Sequence, residues 1–422
     1  MFIFLFSLKV NLIQFRYFIL FLLLPCSYFF FQDIKNKNFN FLKYSLYILL
    51  FLLLHIFIVN NYGIFKINFH QFLSLIYLLG IFTIAYYFFN FFNKNLFKLI
   101  FLFLVLFLIS SLISLFNFQY DAPYFCGGFP DVFNITSHDG INPDRTYALR
   151  ISFKEYIFKE NSHLGMIAPS VIIFLIYYLF TNNINFIQKS LIILFILICF
   201  IKSSTTLILG LFVSLTFILI FNYKEISKNN IFSFVLVILV CASTLIFNSE
   251  CKKRFIAIKD DINLISKQET IVNNHTENKI IFKNDNDFSI LTKAVHFHAL
   301  SIMNKSIIEK PFGWGLNAYI NAFEYFNTIY EPKQKDLLDY NKKDGTNNLI
   351  KIIVEFGIFG LFFYYFIFLF LLNKKIPIEL KLFYLPIIIT QSLRGAGYFN
   401  GGFILIAFLM LFTYINLYKK LR

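Results

Sequence analysis

The sequence predicts an all-α, polytopic integral membrane protein with about 11–12 transmembrane helices and one large, mostly helical outer loop. Three observations carry that prediction. Of 422 residues, 58% are apolar and 21% aromatic while only 14% are charged, well below the roughly one quarter charged in soluble domains. The mean hydropathy is +0.68. Apolar stretches near the roughly 20 residues needed to cross a hydrocarbon core recur from end to end. A water-soluble enzyme is excluded by this balance. A formal net charge of +15 would suggest nucleic acid in a soluble protein, but here it is first a statement about membrane orientation.

Eleven spans follow in order: 17–31, 44–59, 69–89, 96–116, 164–180, 187–201, 204–221, 231–247, 349–371, 381–392 and 402–417. Residues 1–13 are apolar but interrupted by Lys9 and Asn11, so they read as a twelfth span, an interfacial helix or the start of the first span. No small-residue cleavage site follows Leu24, which makes the first segment an uncleaved anchor and not a signal peptide. The chain thus divides into a transmembrane bundle over 1–247 with an outer loop at 117–163, a large loop at 248–348, and C-terminal transmembrane helices over 349–422.

Four spans separate the two long loops, so both lie on one face. The short loops decide which face. Lys35, Lys37, Lys43, Lys94, Lys98, Lys189, Lys224, Lys228, Lys374, Lys375, Lys381, Lys419, Lys420 and Arg422 gather on one side, against Lys66, Lys202 and Arg394 on the other. The positive-inside rule puts the first group in the cytoplasm and both long loops outside. Of the five cysteines, Cys126 and Cys251 fall in the outer loops, where sequence leaves open two thiols or one disulfide. No metal-ligand cluster and no nucleotide fingerprint is present in the sequence, so no cofactor is expected.

Candidate chemistry concentrates at the outer face. Arg150 suits an anionic group, and Glu160 and His163 at the mouth of the fifth span are general-base candidates, although Asn161 and Ser162 beside them fit plain helix caps. Lys202 followed by Ser203, Ser204, Thr205 and Thr206 reads either as a tight turn or as an anion-facing patch. Arg254, beside Lys252 and Lys253, fits either lipid phosphates or a lipid-linked pyrophosphate. A helix over Leu291–Ile308 carries Lys293, His296 and His298 and ends at Pro311-Phe312-Gly313-Trp314-Gly315. Its glycines permit a close turn, with Trp314 either stacking on an apolar or sugar surface or packing a loop corner. Asn347 then leads into a span in which Lys351 and Glu355, at i and i+4, can neutralise one another.

Taken together, the span order, Lys293 to Gly315 with its P-x-G-x-G, and Asn347 to Gly360 with N-x-L-x(5)-E-x-G-x-x-G resemble the O-antigen ligase and polymerase superfamily of bacterial envelopes. Arg150 through His163 and Lys202 to Gly210 resemble earlier segments of that family. The resemblance implies a GT-C-like, metal-independent glycosyltransferase in the bacterial inner membrane, its large loops periplasmic. The implied donor is a glycan on undecaprenyl pyrophosphate, the acceptor another repeat unit in polymerases or lipid A-core in ligases, and a chain-length regulator is an implied partner. Arg150, Lys202, Arg254, Lys293 and Arg394 would clamp the pyrophosphate, with Trp314 and Asn347 lining the substrate site. Where ligase-like members present a His, this sequence has Thr346, so the base falls to His163, Glu160, His296 or His298, and polymerase becomes the preferred subtype. Lys293 stands where the family often has Arg, and a lysine lacks the bidentate fork for phosphate. A flippase of lipid-linked glycan is the competing class, but neither inverted repeats nor a compact loop set is found.

A phosphatase reporter fused within 260–285 is expected to be active outside the cytoplasm, and one fused after Lys375 inactive. The reverse pattern in the enzymatic readout would overturn the assigned sidedness.

Overall fold

A computed structural model describes residues 9–10, 13–14, 22–61, 69–116, 119–120, 134–135, 147–148, 151–152, 161–201, 204–247, 288–326, 342–395, 397–400 and 402–419. Every predicted span holds a helix. The N-terminal set is α1 (Leu23–Lys35), α2 (Asn40–Asn61), α3 (Phe69–Lys94) and α4 (Leu96–Phe116). It is followed by α5 (Asn161–Thr181), α6 (Phe186–Ile201), α7 (Thr205–Asn222) and α8 (Lys228–Phe247). The large loop contributes α9 (Phe288–Glu309) and α10 (Tyr319–Phe326), and the C-terminal set is α11 (Asn348–Phe356), α12 (Ile358–Leu372), α13 (Ile378–Leu393) and α14 (Phe403–Lys419).

Among the described residues, four segments are long and apolar enough to cross a membrane by themselves: Asn40–Val59, Gln71–Lys94, Leu164–Thr181 and Thr206–Glu225. Five shorter apolar helices accompany them. The fold is that of an all-α polytopic membrane protein. Its only described strands are three two-residue antiparallel pairs, one of which joins Lys9–Val10 to Ile13–Gln14. Lys9 and Val10 are thus extended and not helical, while residues 1–8 and 11–12 lie outside the described residues.

At the centre, α13 packs against α5 and α7, and α14 lies along α3. Such contacts account for the inward-facing residues Ile172, Leu211, Leu382 and Ile406, all fully buried. By contrast α2 turns Leu46, Leu50, Leu53, Leu54 and Phe57 outward. In water these would be an aggregation hazard; facing lipid tails they cost nothing.

The ninth predicted span differs from the expectation of one continuous helix. It breaks at Gly357, whose φ of +56° ends α11 and starts α12 in a new direction. Polar anchors mark the two ends of the bundle. At one end Asn93 donates to Thr413 and accepts from Tyr384, while Lys381 Nζ donates to Asn222 (2.6 Å) and Glu225 (3.0 Å). At the other, Asn317 reaches Ser74 and the α11 residues meet the loop before α14. Ser74 and Asn93 belong to one helix, α3, and their separation of 19 residues puts the ends about 28 Å apart.

Lys381 also revises the charge reading. It is not a loop cation but a fully buried side chain in the first turn of α13, neutralised by Glu225. Because breaking a buried ion pair strands the remaining charge, Lys381→Ala is expected to cost on the order of 3 kcal/mol, softened by the partial exposure of Glu225. Thermal unfolding of the detergent-purified protein measures this, and adding Glu225→Gln should recover part of the loss.

Candidate functional site

At the end of the bundle that holds Ser74, four segments meet: α9, the 311–318 loop, the N-terminal half of the broken helix, and the loop between α13 and α14. Their meeting depends on two glycines. The P-x-G-x-G segment runs beside the C-terminus of α11, with Trp314 N–H donating to the Val354 carbonyl (3.0 Å) and Gly315 N–H to that of Glu355 (2.9 Å). In return, Ile358 N–H donates to the Pro311 carbonyl (2.8 Å). A Cβ on Gly313 would run into the Glu355 carbonyl, and one on Gly357 into that of Pro311; both glycines also have positive φ. The two glycine motifs, separated by some forty residues of sequence, are therefore halves of one backbone joint.

The joint aims Glu355 inward. Its side chain is fully buried, one carboxylate oxygen accepting from Tyr319 N–H (3.1 Å), the other from Asn317 N–H (2.8 Å) and from the Tyr398 hydroxyl. Lys351 Nζ lies 3.8 Å away and donates to the Lys343 carbonyl (2.6 Å) and to Asn317 Oδ1 (3.3 Å). Neutralisation of Lys351 by Glu355 is thus as the sequence suggested, but the pair also ties down Asn317, whose φ of +54° needs such support. Burial, then the neighbouring carboxylate, pushes the Tyr398 hydroxyl well above its ordinary pKa, so it stays a proton donor.

One turn away, Asn347 caps α11 by accepting from Ile350 N–H (2.8 Å), and its amide lies 3.4 Å from His296 Nε2. His296 is partly buried. Desolvation, then the positive field of Arg394, holds its pKa below the ordinary imidazole value, leaving a neutral ring near pH 7. Arg394 ends α13 and is exposed. Three of the sequence-derived candidates, His296, Asn347 and Arg394, are therefore brought together from three elements. Lys293 lies one turn before His296 on α9, with its side chain outside the described set.

Other candidates are placed elsewhere or not at all. Trp314 corrects the stacking expectation: it is 1% exposed, donates to Ser306 Oγ (3.1 Å), and is covered by Tyr325, Phe326 and the Lys310 ammonium, 4.1 Å from the ring. No face is left for a sugar. His298 is likewise buried, edge-on to Phe323, and burial followed by the Lys305 charge lowers its pKa to about 4. A proton acceptor needs access, which His298 lacks. Ser204 caps α7 by accepting from Leu207 N–H (3.3 Å), the plain reading of that hydroxyl-rich break. Arg150, Glu160, Lys202, Arg254, Cys126 and Cys251 lie outside the described residues, and of His163 only the backbone, in the first turn of α5, is described.

Sequence reasoning missed Tyr398 and Asn317. Tyr398 is one of 25 tyrosines with no motif around it, and Asn317 matters through its backbone N–H, which no pattern of side chains announces.

Residues 190–365 match the family model Wzy_C, described as O-Antigen ligase. The matched segment runs from α6 into α12 and contains both halves of the glycine joint, Lys351, Glu355, His296 and Asn347; Arg394 and Tyr398 lie beyond it. No curated protein and no solved structure matches the chain.

Glu355→Gln replaces an acceptor by an N–H facing backbone donors and leaves Lys351 unneutralised. The expected cost is on the order of 3 kcal/mol, read as a lowered Tm in detergent. An unchanged Tm would mean that the carboxylate does not organise this end.

Proposed function

From the O-antigen ligase/polymerase superfamily match over residues 190–365, we propose that this protein transfers glycan from a lipid-linked donor at the periplasmic face of the bacterial inner membrane. The donor is a glycan on undecaprenyl pyrophosphate and the reaction extends a polysaccharide by repeat units. The observation that carries this reading is the convergence of His296, Asn347 and Arg394 beside the buried Glu355 brace. Transfer from a glycosyl pyrophosphate needs a base for the acceptor hydroxyl and positive charge for the departing phosphate. A neutral His296 supplies the first. Arg394 supplies the second, with Lys293, Arg150, Lys202 and Arg254 as further candidates for the clamp.

The reaction runs as a displacement. His296 takes the hydroxyl proton as the acceptor oxygen bonds to the anomeric carbon, and the carbon–phosphate oxygen bond breaks with its electron pair leaving on the pyrophosphate. Asn347, held by its cap to Ile350, fixes the imidazole relative to α11. Glu160 and His163 stay candidates for the base alongside it.

A second reading, transfer to lipid A-core, is favoured by the description of the matched family as a ligase. Thr346 in place of the family's His favours polymerisation. The two differ in product: purified protein given only lipid-linked repeat units should form longer glycans if it polymerises, and require lipid A-core if it ligates. Transfer in detergent, where no bilayer exists to cross, separates both from a flippase.

In that assay His296→Gln is expected to lower the rate on the order of 100-fold or more, and Lys293→Ala by a smaller factor. The wild-type rate should fall as pH drops through a pKa below the ordinary imidazole value, since protonation removes the base, and the acid limb should vanish in His296→Gln. Full activity of His296→Gln with an unaltered pH profile would transfer the base to another residue.

A further inference from the structure

About 18–24 Å along α3 from Ser74, toward the Asn93 end of the bundle, a cavity of about 310 Å³ opens between α1, the start of α2, the last turns of α3 and the end of α14. It takes no part in the chemistry above. Four rings of its wall, Phe29, Tyr44, Tyr86 and Tyr87, pack on one another: Phe29 stacks on Tyr87 at 6.0 Å, Tyr44 and Tyr86 are 6.3 Å apart, and Tyr86 meets Tyr87 edge to face at 5.1 Å. Phe412 of α14 closes the group against Tyr86.

Among the described residues Asp33 is the single carboxylate of the lining, and none of these residues is a lysine or arginine. One of its oxygens accepts from Asn38 Nδ2 (2.9 Å), and among the described residues no lysine or arginine is paired with it. Asp33 and Asn36 also belong to the C-terminal turn of α1, where the helix dipole presents its negative end. A carboxylate, the faces of several aromatic rings and a helix C-terminus share one preference, a cation, and rings select an organic ammonium over a strongly hydrated metal ion.

Around the mouth the charge is opposite. Lys35, Lys37, Lys43 and Lys94 are all exposed on this end. A free cation would be repelled by that rim, whereas a zwitterion with a phosphate beside its ammonium matches both zones. Outward-facing Ile34, Phe39, Leu42, Leu46 and Tyr47 flank the recess on α1 and α2 beside the exposed lysines, which suits a mouth at the headgroup layer of the bilayer. We propose that this cavity binds the ethanolamine headgroup of a membrane phospholipid, the ammonium resting on Asp33 within the ring of Tyr44, Tyr86 and Tyr87, the phosphate among the lysines. Gln32, Asn90 and Asn416 supply amides for the remaining headgroup oxygens. The site is independent of the glycan chemistry at the opposite end.

The test is native mass spectrometry of the full-length protein in detergent with equal amounts of phosphatidylethanolamine and phosphatidylglycerol. The expected result is preferential retention of phosphatidylethanolamine, about tenfold weaker or more in Asp33→Asn, which keeps the acceptor for Asn38, and largely retained in Asp33→Glu. Equal retention of both lipids overturns the proposal, as does undiminished binding by a folded Asp33→Asn protein. Should Asp33→Asn not fold, Tyr44→Leu removes one ring and must weaken the same selectivity. Displacement of the lipid by soluble glycerophosphoethanolamine at equal concentration would assign the recess to a soluble zwitterion and overturn the lipid assignment.

Discussion

The end of this molecule that holds Ser74 is organised around one carboxylate shut away from water. Glu355 has no solvent contact, so its charge must be met by protein groups, and it is met by two backbone N–H groups, the Tyr398 hydroxyl and the Lys351 ammonium. Each partner comes from a different stretch of chain or a different turn. Satisfying a buried carboxylate is costly to do halfway, since any missing donor leaves charge uncompensated. The demand therefore locks together the 317–319 turn, the 398 loop and the last turn of α11. His296, Asn347 and Arg394 inherit their positions from that lock.

The glycine joint makes the lock possible. Only residues without a Cβ let the 311–315 segment approach the end of α11 closely enough for its N–H groups to bond the Val354 and Glu355 carbonyls. Those carbonyls would otherwise be orphaned where the helix breaks. A membrane helix interrupted in this way needs such internal partners, because lipid offers none. The irregular backbone is tolerated because it is buried against protein.

The other end is held differently. Buried Lys381 and Asn222 form a compact cluster with the partly exposed Glu225, and Asn93 joins Thr413 to Tyr384. Aromatic packing dominates between them. This division leaves the two ends chemically distinct: one built on the buried Glu355, Lys351 and Tyr398 network with Arg394 exposed beside it, the other presenting a carboxylate in an aromatic recess near exposed lysines.

Composition and hydropathy alone determined that the chain is an all-α membrane protein, and the apolar runs located every helix of the bundle, because burial in lipid requires long stretches of one kind of residue and these are visible in any reading of the chain. The motifs likewise pointed to α9, the P-x-G-x-G turn and the start of α11. Tertiary structure decided the rest. It broke the ninth span at Gly357, put Trp314 in a core and not on a sugar, took His298 out of reach, and made a site partner of Tyr398. These depend on which backbone groups lie within hydrogen-bonding distance across tens of residues of sequence, a matter of three-dimensional closure that no local pattern encodes.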